Sequence, residues 1–228
     1  MRKIIKKLTG KNLDNNIPLT YLFQRGVPYL NGRLRGLVRA NSLNGKPRSL
    51  FIGKHVKLLS PKKIYLGDNI RIENFVYIDA LSREGIHLGN NVKLGDYSKI
   101  ICSGSISSLG KGIEIGHDSF FSEYTFFGAA GGIKIGNNVI AGQHVRFHAE
   151  NHNYSVLNTP IRMQGVSHKG IYIGNDCWLG AGATFLDGSS IGNGCIVAAN
   201  ATVTKTFPDN VIIGGVPAKI IGLRTGER

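Results

Sequence analysis

The sequence predicts an all-β solenoid, a parallel β-helix of six-residue repeats with a helical cap in front and a short closing segment behind. Three observations predict it. A tetrapeptide recurs as Ile64-Tyr65-Leu66-Gly67, Ile86-His87-Leu88-Gly89, Ile113-Glu114-Ile115-Gly116, Ile133-Lys134-Ile135-Gly136 and Ile171-Tyr172-Ile173-Gly174. Apolar residues then follow at steps of six, as in Leu66, Ile72 and Ile78, and for longest in Ile173, Leu179, Phe185, Ile191, Val197 and Val203. Four places after each inward residue stands a small or β-branched one: Ser98, Ser119, Thr125, Val139, Val145, Cys177, Ala183, Ser189, Cys195 and Ala201. Neither a helical period of 3.6 nor simple alternation gives a step of six, but a coil with three flat faces does. Three hexads then make one 18-residue turn, stacked on the next by parallel ladders at roughly 4.8 Å.

Residues 1–50 form a basic front segment. Within it Pro18 to Asn41 reads as helical, with Leu19, Leu22, Phe23, Leu30, Leu34, Leu37 and Val38 at three-to-four spacing and an expected break at Gly26-Val27-Pro28. This helix is expected to cap the first coil near Phe51-Ile52-Gly53, because the end of a solenoid needs covering. The repeat occupies residues 51–207, with small insertions near 79–85, 103–112 and 128–132. Its largest interruption, residues 148–170, holds His148-Ala149-Glu150-Asn151-His152-Asn153-Tyr154 and Thr159-Pro160-Ile161-Arg162. A loop this long inside a compact domain usually carries function. From residue 208, Pro208 and Gly214-Gly215-Val216-Pro217 break the period, and a closing segment runs to residue 228.

Residues 1–63 hold 15 Lys or Arg against the single acid Asp14, whereas residues 64–228 hold 13 basic and 13 acidic residues. A block of this kind can meet an anionic membrane surface, a lipid-linked or polyanionic substrate, or plain solvent. Aromatic residues are not interleaved with the charges as a single-strand binder requires, which argues against nucleic acid. No stretch reaches the roughly 20 apolar residues of a membrane span, and Met1 to Lys11 lacks the apolar centre of a secretion signal. The expectation is a cytoplasmic protein able to sit at the inner face of the membrane. Cys102, Cys177 and Cys195 have neither metal-ligand spacing nor the even count of a disulfide framework, and read as reduced packing residues.

The hexads, the histidine loop and the closing Asn210-Val211-Ile212-Ile213-Gly214-Gly215-Val216-Pro217-Ala218-Lys219 together resemble the hexapeptide-repeat acetyltransferases, above all the sugar and bacterial polysaccharide O-acetyltransferases. The resemblance spans roughly residues 50–222 and implies a left-handed β-helix, a homotrimer with active sites between subunits, acetyl-CoA as donor and no metal. It places the catalytic histidine at His152, where a neutral imidazole suits the removal of a proton from an alcohol. Trp178, Asn151, Glu123 and Tyr124 fall at positions expected to face the acceptor. Ser122-Glu123-Tyr124 departs from the family, whose sugar-acetylating members carry an acceptor-orienting asparagine there. Gly180, Ala181, Ala199 and Thr204 match the groove for the CoA arm, with Lys205 and Lys219 as cations for its phosphates.

The leading function is therefore transfer of acetyl to a sugar hydroxyl of a capsule, exopolysaccharide or lipopolysaccharide. Acetylation of a free small molecule or antibiotic is the alternative within the family. A γ-carbonic-anhydrase-like metal site at His144, His148 and His152, and a non-catalytic scaffold, are the rivals outside it.

Overall fold

A computed structural model describes Asp14 and residues 16–225. Three parallel sheets wrap one core as a parallel β-helix, with the left hand that the resemblance implies. The first face stacks Leu50–Ile52, Ile70–Ile72, Lys93–Leu94, Phe120–Phe121, Ile140–Ala141, Trp178–Leu179, Ile196–Val197 and Val211–Gly214. The second stacks Lys57–Leu59, Tyr77–Asp79, Lys99–Ile101, Phe126–Gly128, Arg146–His148, Thr184–Leu186 and Thr202–Val203. On the third face the recurring tetrapeptides supply Ile64–Leu66, Gly85–Leu88, Gly112–Ile115, Ile133–Ile135 and Ile171–Ile173, before Ser190–Ile191 and Thr206–Phe207.

The inward residues are those at the six-residue step. Ile72, Ile78, Leu94, Ile100, Leu179 and Val203 are fully buried, and so are the small corner residues Ser98, Ser119, Cys177 and Cys195. Stacking puts like on like: Phe127, Phe147 and Phe185 form an inward ladder with ring centroids 5.1 and 5.0 Å apart. Each tetrapeptide glycine lies where a Cβ would strike the coil beside it, as Gly136 does against Gly174 and Asn175. The asparagine after it ties coils together: Asn175 Oδ1 accepts from Asn137 N at 2.8 Å, and Asn193 Oδ1 from Asn175 N at 2.8 Å.

Helix α1, Leu19–Ala40, covers the first coil by its glycine side and leaves its apolar side outward. Gly32 and Gly36 are its buried residues, and a Cβ at either would collide with the Phe51 ring or the Leu50 carbonyl. Arg35 Nε donates to Ile52 O at 2.8 Å and to Gly53 O at 3.1 Å, while Arg39 Nη1 donates to Val56 O at 3.1 Å. The expected break at residues 26–28 is absent, since α1 runs unbroken through Pro28. Pro28 removes one intrahelical N–H, and Gln24, four residues before it, is an exposed residue whose carbonyl water can reach. At the far end Lys219–Leu223 folds back antiparallel on Val211–Gly214, and Arg224 Nη1 reaches Asp176 Oδ2 at 2.8 Å. Among the described residues no helix is long and apolar enough to cross a membrane.

Candidate active site

The long interruption leaves the solenoid after Arg146–His148 and returns at Ile171–Ile173, so it projects from the edge between the second and third faces. It is a folded arm. Asn151–His152 pairs antiparallel with Val166–Ser167, setting His152 opposite Val166. Gln164 closes the tip: its Oε1 accepts from Val156 N at 3.0 Å, and its Nε2 donates to Val156 O at 2.9 Å and Thr159 O at 2.7 Å. At the base, His168 Nε2 lies 2.8 Å from Glu150 Oε2. The buried carboxylate of Asp187 accepts from Lys169 N at 2.9 Å and Gly170 N at 2.7 Å, fixing the return strand.

His152 is exposed and lines a cleft of about 760 Å³ with Asn151, Tyr154, Thr159, Gln164 and Lys169. Among the described residues no side chain of the same chain hydrogen-bonds its imidazole. Lys169 also lines a second, larger hollow of about 1160 Å³ along the third face, with Tyr65, His87, Lys111, Lys134 and Tyr172. His144 sits at a different edge from His152, and His148 lies on the second face, so the three histidines diverge. Burial, reinforced by the charge of Arg146, holds the His148 imidazole below its ordinary value. Burial pushes the Cys102 and Cys177 thiols up to about 12 and raises Cys195, which leaves all three as poor nucleophiles.

Most of the other residues singled out in the sequence gather elsewhere, at the edge between the first and second faces. Corner bonds stack Glu123 under His144, Gln143 under Gly182 and Ala181 under Asn200. Gly180 belongs to the same corner, where a Cβ would strike Ala199 N. Trp178 stands outward on the adjoining first face, between Ile140 and Ile196 in register. Lys219 pairs with Gly214 beside this edge, whereas Thr204 and Lys205 lie between the second and third faces, on the edge that carries the histidine arm. In one chain, then, His152 and Asn151 are on one edge and Trp178, Glu123, Tyr124, Gly180, Ala181 and Ala199 on another.

This second edge carries a feature that sequence reasoning missed. His55, Phe75, Tyr97, Tyr124 and His144 all adopt left-handed backbone conformations, with φ from +55 to +60°. Their rings stack at 4.8, 4.8, 5.0 and 4.8 Å. The equivalent positions of the edge between the third and first faces hold Asn69, Asn91, Asp118 and Asn138, the types that tolerate this conformation at least cost. Stacking offsets the strain of the aromatic residues. The signal was an aromatic residue three places after each of Ile52, Ile72, Leu94, Phe121 and Ala141. Above His144 the column gives way to Gly182 and then Asn200, so the ring stack ends in a step of small residues.

Residues 170–205 match the family model described as "Bacterial transferase hexapeptide (six repeats)". The match spans the part of the solenoid where the six-residue step runs longest. The chain is 32% identical over 124 residues to the Escherichia coli K12 protein named "Putative lipopolysaccharide biosynthesis O-acetyl transferase WbbJ", covering 51% of this chain and 63% of that one. It is 36% identical over 89 residues to the galactoside O-acetyltransferase of Lactococcus lactis, covering 39% and 42% of the two chains. The chain thus spans less than two thirds of the length of these curated relatives. Among solved structures, a mutant of AntD, an N-acyltransferase from Bacillus cereus in complex with dTDP-4-amino-4,6-dideoxyglucose and coenzyme A, shares its fold. The TM-score is 0.53 at 19% identity, over 84% of this chain and 89% of that one.

Proposed function

We propose that this chain is an O-acetyltransferase that moves acetyl from acetyl-CoA to a sugar hydroxyl of a cell-surface polysaccharide, with His152 as general base. The observation that carries the reading is the paired arm presenting an exposed imidazole, without a side-chain partner among the described residues, over a cleft. In this role the imidazole takes the acceptor hydroxyl proton as the oxygen attacks the thioester carbon. The carbon–sulfur bond then breaks and the imidazolium returns the proton to the departing thiolate. Backbone N–H groups at coil corners suit the oxyanion. No covalent acyl-enzyme is required, in keeping with the raised thiols.

The site is completed in a homotrimer, in which the His152 arm of one subunit meets the Trp178 edge of the next. Two features support this reading. The first face exposes a column of apolar residues in register, Phe120, Ile140 and Trp178, the last 53% exposed. The second is the step of small residues at Gly180, Ala181 and Ala199, which lets a long thin donor approach the backbone, with Lys219 beside the same edge. Thr204 and Lys205 extend the donor site from the arm's own edge. Glu123, Tyr124 and Asn151 face the acceptor. The names of the two curated relatives favour a sugar or lipopolysaccharide acceptor over a free small molecule.

The test is acetyl-CoA turnover by the wild type and His152→Ala across nucleotide-sugars, oligosaccharides and polysaccharides. Stimulation by one glycan that falls by about 10²–10⁴ in the variant, with CoA binding retained, is the expected result. Equal turnover in both proteins removes His152 from the reaction.

A further inference from the structure

We propose that α1 docks the protein on an anionic lipid bilayer, laying its apolar stripe into the headgroup region. A helix that covers a solenoid end ordinarily turns its apolar side inward. Here the relation is reversed. Gly32 and Gly36 face the first coil, and Arg35 and Arg39 donate to its carbonyls. Leu19, Phe23, Val27, Leu30, Leu34 and Val38, spaced three or four residues apart, stand with Leu37 on the opposite side in solvent. Leu34, Leu37 and Val38 are 59%, 68% and 81% exposed, far beyond what a scattered surface leucine needs explained.

Charge decides what covers the stripe. No acid lies between Asp14 and Asp68, while the same interval holds ten Lys or Arg, from Arg25 to Lys63. A second copy of α1 would set two basic helices together without a carboxylate to offset them. An anionic bilayer supplies both the apolar layer and the counter-charge, which is the physics of an interfacial amphipathic helix. Each subunit of a trimer would add one such helix, so weak single contacts become firm together. The inference does not rest on acetyl transfer, because its test needs no turnover.

The experiment is co-sedimentation of the full chain with phosphatidylcholine vesicles, with and without phosphatidylglycerol, at low and high salt. A Leu34→Glu/Leu37→Glu variant is compared after thermal unfolding has shown its solenoid intact, and light scattering gives the mass of both proteins. The expected result is partition onto the anionic vesicles alone, weakened by salt and reduced at least about tenfold in the variant at unchanged mass. Failure of the wild type to bind, equal binding by the variant, or a drop in the variant's mass that assigns the stripe to a second copy would each overturn it.

Discussion

His168 Nε2 lies 2.8 Å from a Glu150 carboxylate oxygen, joining the two sides of the arm at its base, two residues from the His152–Val166 pair. Both side chains are about one-third exposed, so solvent screens the pair. Replacing Glu150 with Gln should cost about 1 kcal/mol of local stability, raising amide exchange across residues 151–167 roughly fivefold. Exchange in the solenoid strands stays unchanged, which separates loosening of the arm from global unfolding.

Asp187 is the stronger anchor, because its buried carboxylate accepts from two successive backbone N–H groups. Asp187→Ala strands those donors and should destabilise the fold by about 1–3 kcal/mol per unsatisfied group, read by chemical denaturation. Turnover falls with it, since Lys169 and Gly170 join the arm's returning strand, Val166–Ser167, to the solenoid at Ile171.

Phe147 is fully buried between Phe127 and Phe185, directly before the arm. Phe147→Ala should cost about 3–5 kcal/mol. Phe147→Leu keeps most of the volume and should cost less, so ranking the two by denaturant midpoint tests the packing directly.

His148 gives a pH prediction. Burial and then Arg146 hold its imidazole below the ordinary 6.5. The unfolded chain therefore takes up this proton first as pH falls. The stabilisation from neutral His148 is complete above pH 6.5 and is lost as pH drops through the lower folded value. Imidazole NMR should place the midpoint of His148 below 6.5, and His148→Phe should flatten that part of the stability profile. A midpoint above 6.5 contradicts the burial.

If the first face is the contact between subunits, an Ile140→Asp change beside Trp178 puts a charge into its apolar column. The trimer should dissociate to monomers by light scattering, with the solenoid's circular dichroism retained. A trimer of unchanged mass would move the contact to another face.

The six-residue step made the solenoid legible because each inward slot admits one kind of residue, and Ile72, Ile78, Leu179 and Val203 are all buried as it requires. The arm was legible as an interruption. Its internal strands were not, because Asn151–His152 and Val166–Ser167 are too short for periodicity to register. The orientation of α1 was hidden for another reason: its three-to-four spacing marks an apolar side without saying what that side faces, and Gly32 and Gly36 reversed it by allowing close approach. The stacked edge from His55 to His144 was visible at constant offset, but a hexad reading follows inward slots and passes over aromatic residues in solvent.

The central claim, a site shared between the arm of one subunit and the edge of the next, is tested most directly by mixing two inactive proteins. His152→Ala removes the base, and Ala181→Phe, at an exposed position, fills the step beside Gly180. After dissociation and reassembly, with trimer mass verified, about a quarter of the interfaces would pair an intact arm with an intact edge, so turnover should return to about a quarter of wild type. Mixed trimers no more active than either parent would contradict a shared site and place the whole reaction within one chain.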